Sequence, residues 1–151
     1  MTEMESRDER PERPEASDRR DPRTPRAESP PAVLVVDDDQ PMHRLFARLL
    51  ARDGVQVLAA SDGAGALAAA ATAHPSLILL DLHLPDMDGL DTLRALRAAG
   101  ETARVVILTG QATLPTAREA MRLGAYDFIT KPFNPDFVRA VLRKALAQPL
   151  S

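Results

Sequence analysis

The sequence VLVVDDD at residues 33–39 decides how the rest of the chain is interpreted. Its first four residues are apolar and mostly β-branched, which is typical of a strand buried on both faces of a parallel sheet. Three aspartates follow directly, where that strand would end. In open parallel α/β sheets, functional groups collect just beyond the carboxyl ends of the strands. The stretch therefore predicts that the first strand carries carboxylates to the functional edge of a sheet.

The rest of the chain alternates buried-strand patterns with helical ones. After a first strand at residues 32–36, four more are predicted, each followed by a helical segment: residues 55–59, 77–80, 105–108 and 126–130. Gly54 is expected to end the first helix in a left-handed conformation. This alternation predicts a parallel sheet with right-handed crossovers and helices on both faces.

Composition restricts the classes of function. The 151 residues contain no cysteine, which excludes disulfides, thiolate metal sites and cysteine nucleophiles. A net charge of -3 with interspersed acids and bases offers no basic field for nucleic acid, so no direct DNA binding is expected. No apolar run is long enough to span a membrane and no signal core begins the chain, so we expect no membrane contact and a cytoplasmic location.

Residues 1–31 differ in composition from the rest of the chain. They contain no Val, Ile, Leu or Phe and are dominated by Arg, Glu, Asp and Pro. Such a segment cannot bury enough apolar surface to offset its ordering entropy. It is predicted to be a disordered leader, and docking of short segments such as residues 10–14 to a partner is the less favoured alternative. Residues 32–148 are predicted to form the folded domain.

Polar residues follow four of the five predicted strands: Asp37 with Asp38, Asp81, Thr109 and Lys131. Parallel topology brings these strand ends to one edge. Two carboxylates about 5 Å apart repel by roughly 3 kcal/mol at an effective dielectric of 20, so such a cluster raises its pKa values or binds a cation. Oxygen ligands favour Mg²⁺ or Mn²⁺. A carboxylate can also accept a phosphoryl group, whose oxygens a lysine and a hydroxyl would bind.

Four motifs together resemble the receiver domain of bacterial two-component response regulators. They are VVDD at 35–38, LD at 80–81 with LPDMDG at 84–89, LTG at 108–110 and KPF at 131–133. They occur in order, each at the end of an apolar strand, and the resemblance covers about residues 32–148. It implies a flavodoxin-like, doubly wound (βα)5 α/β fold with strand order 2-1-3-4-5. We expect the single-domain type of regulator, without an output domain; a fragment of a longer regulator is the alternative that stays open.

The resemblance assigns a role to each matching residue near the predicted metal site. Asp81 matches the phosphoacceptor, Asp38 the direct Mg²⁺ ligand, and Asp37 the acid that holds metal-bound water. The phosphoacceptor is itself a ligand, and the backbone carbonyl of His83 matches the third one. The side chains of His83 and Gln111 are expected to border the path of the attacking water.

The resemblance also implies the parts of a conformational switch. Thr109 matches the hydroxyl that moves onto the phosphoryl group, and Lys131 matches the lysine that pairs with it. A cis peptide usually joins that lysine to the next residue, here Pro132. Phe128 falls at the position of the switch aromatic, although a simple core role is the alternative reading.

The function implied is phosphotransfer in two-component signalling. A histidine kinase or phosphotransfer protein would donate a phosphoryl group to Asp81 with Mg²⁺, and the chain would catalyse only its own phosphorylation and dephosphorylation. The output would be a change of the last two helices and the strand between them, about residues 114–147. An unidentified downstream protein or a second copy of the chain, forming a homodimer, would bind that face.

Two other function classes remain open. A Mg²⁺-dependent phosphatase of the haloacid dehalogenase type also uses a strand-end aspartate, but it needs a second acid two residues later, where this chain has His83. The length also leaves no room for a cap domain. A phosphorylation-independent, receiver-like binding module is the other alternative, and the complete set of acids, threonine and lysine argues against it.

Other polar residues are given structural roles. Asp39 is predicted to cap the first helix. Asp86 and Asp88 are predicted to make a loop turn and cap the next helix rather than bind metal. His43 is expected to be exposed, and His74 to be structural in a loop.

Overall fold

The structure, a computed structural model, describes residues 30–147. The predicted leader therefore lies outside the described residues, apart from Pro30 and Pro31. The strands are β1 (Ala32–Val36), β2 (Gln56–Ala60), β3 (Leu77–Leu80), β4 (Arg104–Thr109) and β5 (Asp127–Thr130). The helices are α1 (Gln40–Leu49), α2 (Gly63–Ala73), α3 (Gly89–Ala98), α4 (Leu114–Arg122) and α5 (Pro135–Ala147). Strand and helix alternate throughout, as predicted, and the strand boundaries differ from the predicted ones by at most one residue.

The strands form one parallel sheet in the order β2-β1-β3-β4-β5. This order is 2-1-3-4-5 and confirms the flavodoxin-like doubly wound fold. β1 lies at the point where the strand order reverses, with Val33 paired to Val57 on one side and Leu77 on the other. Ligands of such sheets bind at the carboxyl ends of the strands beside this point. The topology thus places the aspartates after β1 where chemistry is expected.

Alternate residues of β1 enter two separate cores. Val33 and Val35 pack toward α1 and α5, whereas Leu34 and Val36 pack toward α2, α3 and α4. All five residues of the strand are buried. The continuous apolar run of the sequence therefore reflects burial on both faces, as predicted.

The end of α1 differs from the prediction. The helix stops at Leu49, and its cap, Leu50, has a φ of -100°, so Gly54 does not end it. Gly54 does adopt a left-handed φ of 68°, four residues further on. The intervening turn is held by a bond from the Asp53 N–H to the Leu50 carbonyl, and it leaves Leu50 fully buried. Burial of Leu50 explains why the chain completes this turn before the glycine.

The prediction for His43 was wrong, and the prediction for His74 is confirmed. His43 is half-buried rather than exposed, and within the described residues its Nε2 is buried without a hydrogen-bond partner. It lies next to Met42, which packs against the core, so the buried region of α1 extends to this histidine. His74 is structural, since it ends α2 in a left-handed conformation with φ 49°. No helix in residues 30–147 has the length and apolarity to cross a membrane.

Candidate functional site

Two buried aspartates stand side by side at the carboxyl edge of the sheet. Asp37 follows β1 and is 3% exposed, and Asp81 follows β3 and is 7% exposed. Their backbone N–H groups donate to the carbonyls of Ala60 and Val36 respectively, each at 3.0 Å. The sheet ladder therefore continues past the strand ends and fixes the backbone of both acids.

Lys131 lies between these two carboxylates. Its Nζ is 2.9 Å from Oδ2 of Asp37 and 3.1 Å from Oδ2 of Asp81. Asp38, the third predicted acid, is exposed, so the lysine contacts two of the three acids that it was expected to face. The predicted cis peptide between Lys131 and Pro132 is present. The fifth strand thus delivers its lysine to the same point as the first and third strands deliver their acids.

The electrostatic balance of this cluster leaves negative charge in excess. Burial raises the pKa of Asp37 above its ordinary value, and the hydrogen bond from Lys131 only partly offsets that effect. Burial opposes the charge on Lys131 as well, but hydrogen bonds to Asp37 and Asp81 raise its pKa. One ammonium therefore serves two carboxylates.

The other predicted site residues border the cluster. The backbone N–H of His83 donates to Oδ1 of Asp81 at 3.0 Å. Thr109 ends β4 fully buried, and its Oγ1 accepts the backbone N–H of Gln111 at 3.1 Å. Phe128 is half-buried and packs against the core under α2, α3 and α4. In this arrangement the threonine hydroxyl closes a local turn after its strand.

The donor set fits a hard divalent cation. Carboxylates of Asp37, Asp38 and Asp81 and the carbonyl of His83 offer only oxygen, and the excess negative charge favours a cation. Within residues 30–147, no three acidic, histidine or cysteine side chains already converge as a metal cluster. The exposed Asp38 and the interposed Lys131 account for this. Mg²⁺ in proteins is commonly held by one or two carboxylates plus water and phosphate, so a ready-made cage is not required.

Of three further acids with predicted structural roles, Asp88 keeps its role, whereas Asp39 and Asp86 depart from theirs. Asp39 precedes α1 but its side chain makes no capping bond, whereas its N–H donates to Oδ1 of Asp37 at 2.9 Å. Asp88 caps α3 as predicted, accepting the N–H of Leu90 at 2.8 Å. Asp86 does not cap the next helix: it accepts the N–H groups of Gly63 at 2.7 Å and Ala64 at 2.9 Å, at the start of α2. That contact joins residues 23 apart in sequence, and no local pattern signals it.

Comparisons with known proteins agree with this geometry. The family model of the response regulator receiver domain matches residues 33–143. The transcriptional regulatory protein KdpE of Mycobacterium tuberculosis is 44% identical over 114 residues, which are 76% of this chain and 50% of KdpE. Sporulation initiation phosphotransferase F of Bacillus subtilis is 33% identical over 114 residues, 76% of this chain and 92% of that protein. The chain therefore spans only half of KdpE but most of the phosphotransferase.

A solved structure shares the fold. The CheY-like response regulator receiver domain protein from Methanospirillum hungatei JF-1 superposes with a TM-score of 0.74 at 28% identity. The match covers 78% of this chain and 94% of that one.

Proposed function

Since the chain belongs to the receiver-domain family of two-component response regulators, we propose that Asp81 is its phosphoacceptor. The observation that carries this proposal is the contact between the buried Asp81 carboxylate and the Lys131 ammonium at 3.1 Å. A carboxylate held at a strand end beside a fixed cation is positioned to attack phosphorus. The same cation then stabilises the negative charge on the transferred oxygens.

The proposed donor is a phosphorylated histidine of a kinase or phosphotransfer protein. An Asp81 oxygen forms the new O–P bond as the P–N bond breaks, and the electron pair of that bond stays on the imidazole nitrogen, which takes up a proton. Hydrolysis later returns the carboxylate and inorganic phosphate. The chain therefore catalyses only its own phosphorylation and dephosphorylation.

We assign a bound Mg²⁺, or Mn²⁺ with the same ligand preference, to the oxygen donors of this edge. Asp38, Asp81 and the His83 carbonyl would hold it directly, and Asp37 would hold metal-bound water. When bound, the ion supplies positive charge to the phosphoryl oxygens. The pairing of two buried carboxylates with one ammonium supports this assignment, because a bound cation would offset the negative charge that Lys131 leaves.

The proposed switch begins at Thr109. Its hydroxyl, which accepts the Gln111 N–H, turns to donate to a phosphoryl oxygen on Asp81. This movement empties space behind β4, and the ring of Phe128 on neighbouring β5 moves in to fill it. Phe128 is half-buried, so it can move inward from the surface.

The proposed output surface is the face of residues 114–147. Three large apolar side chains are exposed there: Leu114 at 65%, Met121 at 48% and Phe137 at 57%. Leu114 and Met121 are seven residues apart and share one face of α4, and exposed apolar side chains on one helix face favour contact with another protein. A downstream protein or a second copy of the chain would bind this face after the switch.

Labelling tests the acceptor. The full chain is incubated with a small-molecule phosphodonor and Mg²⁺, and intact mass is measured. We expect one phosphate on the wild type and none on Asp81→Asn. Asp53→Asn is the matched control, because Asp53 is also a mostly buried acid paired with a cation, Arg139, and it should label like the wild type. Labelling of Asp81→Asn at the wild-type rate would show that the assignment is wrong, and turnover of many phosphoesters would indicate a phosphatase.

The switch has a separate test. Amide chemical-shift changes across residues 114–147 are measured when beryllofluoride, a phosphate mimic, is added. Wild type and Thr109→Ser, which keeps the hydroxyl, should show large changes there, and Thr109→Ala much smaller ones. Equal changes in all three would mean that the signal leaves Asp81 by another route.

A further inference from the structure

The loop at residues 82–88, between β3 and α3, is fastened to a helix that contributes no residue to the proposed phosphorylation site. Both carboxylate oxygens of Asp86 are used: Oδ1 accepts the Gly63 N–H at 2.7 Å and Oδ2 accepts the Ala64 N–H at 2.9 Å. These N–H groups lie in the first turn of α2, where the helix itself offers them no acceptor. The loop therefore completes the start of α2, and α2 in turn holds the loop.

Close packing reinforces this attachment. A Cβ on Gly63 would lie 2.7 Å from both the Met87 sulfur and the Thr92 hydroxyl, so any side chain there would displace Met87 and Thr92. Thr92 is fully buried, and its hydroxyl donates to the Asp88 carbonyl at 3.1 Å. At the other end of the loop, a Cβ on Gly89 would overlap the backbone of Leu82. The loop is thus held against α2 by contacts that leave it little room to shift.

The same loop carries the backbone groups nearest the acceptor. The His83 N–H donates to Oδ1 of Asp81, and the His83 carbonyl belongs to the donor set assigned to Mg²⁺. His83 lies only three residues before Asp86 in this short loop. A shift of the loop away from α2 would therefore move both His83 backbone groups relative to Asp81.

We propose that Asp86 is a positioning residue for the phosphorylation site, because its bonds to α2 fix the His83 backbone beside Asp81 and so set the affinity for Mg²⁺. This inference rests on the proposed function. Residues that orient ligands without touching the metal commonly change metal affinity about tenfold or more when they are removed. Asp86 acts through its loop and contacts neither the acceptor nor its lysine.

The test is a Mg²⁺ titration of the full chain, read from the amide shifts of Asp38 and His83. Asp86→Ala should raise the Kd for Mg²⁺ about tenfold. Asp62→Ala is the matched control, since Asp62 caps the same helix end by accepting the Gly65 N–H at 2.7 Å but does not touch the loop. Its Kd should stay within about twofold of wild type, because it loses one cap bond without releasing the loop.

Two more variants keep the test decisive if Asp86→Ala folds poorly. Gly63→Ala pushes Met87 and Thr92 away from the other side of the contact and should also raise the Kd. Asp86→Asn keeps one acceptor oxygen and should raise it by less than Asp86→Ala.

The outcomes separate the two levels of inference. If Asp62→Ala and Asp86→Ala raise the Kd equally, Asp86 only stabilises α2 and the positioning role is overturned, while the proposed function stands. If the wild type shows no Mg²⁺-dependent shifts at Asp38 and His83, the assigned metal site and this inference both fall.

Discussion

The charged side chains at the two edges of the sheet have different kinds of partner. At the phosphorylation edge, defined by Asp37, Asp81 and Lys131, two carboxylates share one ammonium. At the opposite edge, the half-buried guanidinium of Arg97 donates to four carbonyl oxygens, those of Leu123, Gly124, Glu101 and Ala103, at 3.4, 3.2, 3.0 and 2.9 Å. One edge leaves negative charge in excess, and the other satisfies its cation with four acceptors.

This difference separates binding from structure. Arg97 joins the end of α3 to the turn after α4, where the last carbonyls of both helices favour a cation. Such a network stabilises the fold, and four of the five N–H donors of the guanidinium are used by backbone carbonyls. At the phosphorylation edge, burial disfavours the ionised form of Asp37 and so lowers the free energy of unfolding. A cation that binds the folded state raises that free energy again. The buried carboxylates that lower the stability of the fold are therefore the groups that can bind a cation and a phosphoryl group.

The largest effect on stability is expected from Arg97→Ala. Removing one charged donor leaves several carbonyls without their partner, and the free energy of unfolding should fall by about 2–3 kcal/mol in urea denaturation. Phosphorylation measured by intact mass should be retained. Arg94→Ala on the same helix is the control. Arg94 pairs with acids at an exposed position, where solvent screens ion pairs, so its loss should destabilise the fold much less than the loss of Arg97. Equal losses in the two variants would remove the distinction between the edges.

A smaller effect is expected from Mg²⁺. At ten times the Kd, binding to the folded state should raise the free energy of unfolding by about 1.4 kcal/mol, measured in melts with and without the ion. Asp38→Ala should remove most of this gain, whereas Arg97→Ala should keep it in full because the ion binds at the other edge. A gain that survives Asp38→Ala unchanged would contradict the ligand assignment.

The sequence predicted that Asp37, Asp81 and Lys131 meet at one edge of the sheet, because its signals are local. Each apolar run ends in its own polar residue, and parallel topology is enough to bring Asp37, Asp81, Thr109 and Lys131 to one side of the sheet. The alternation of strand and helix does not by itself predict the order of the strands in the sheet. That order was predicted from the resemblance to receiver domains.

The missed contacts have a common physical cause. Arg97 and Asp86 bind backbone groups, and every residue offers those groups, so no residue type marks the partner. The contact of Asp86 with Gly63 also forms only after α2 and the loop are packed together. The prediction that His43 is exposed was wrong for a related reason. Burial of its Nε2 depends on the groups that pack around α1 and not on the spacing of apolar residues within the helix.

The smallest effect concerns pH, and it contrasts two acids of the same edge. Hydrogen bonds from Ala64 and Gly63 lower the pKa of Asp86 below its ordinary 3.8. The ionised form is therefore favoured by folding, and its contribution is present above pH 3.8 and lost as the pH falls through the folded pKa. For Asp37 the folded pKa is raised by burial, so the protonated form is favoured, and that contribution is lost as the pH rises through the folded value.

The two signs give opposite curves in one experiment. Melting midpoints are measured without Mg²⁺ from pH 7 to about pH 3 for the wild type, Asp86→Asn and Asp37→Asn. The deficit of Asp86→Asn should shrink at the acid end, where the wild-type carboxylate takes up its proton. Asp37→Asn should instead improve relative to the wild type as the pH rises, because the amide never acquires the buried charge. Parallel curves for the two variants would show that Asp37 and Asp86 share one electrostatic environment. The contrast between Asp37, whose charge is disfavoured by burial, and Asp86, whose charge is stabilised by backbone N–H groups, would then be contradicted.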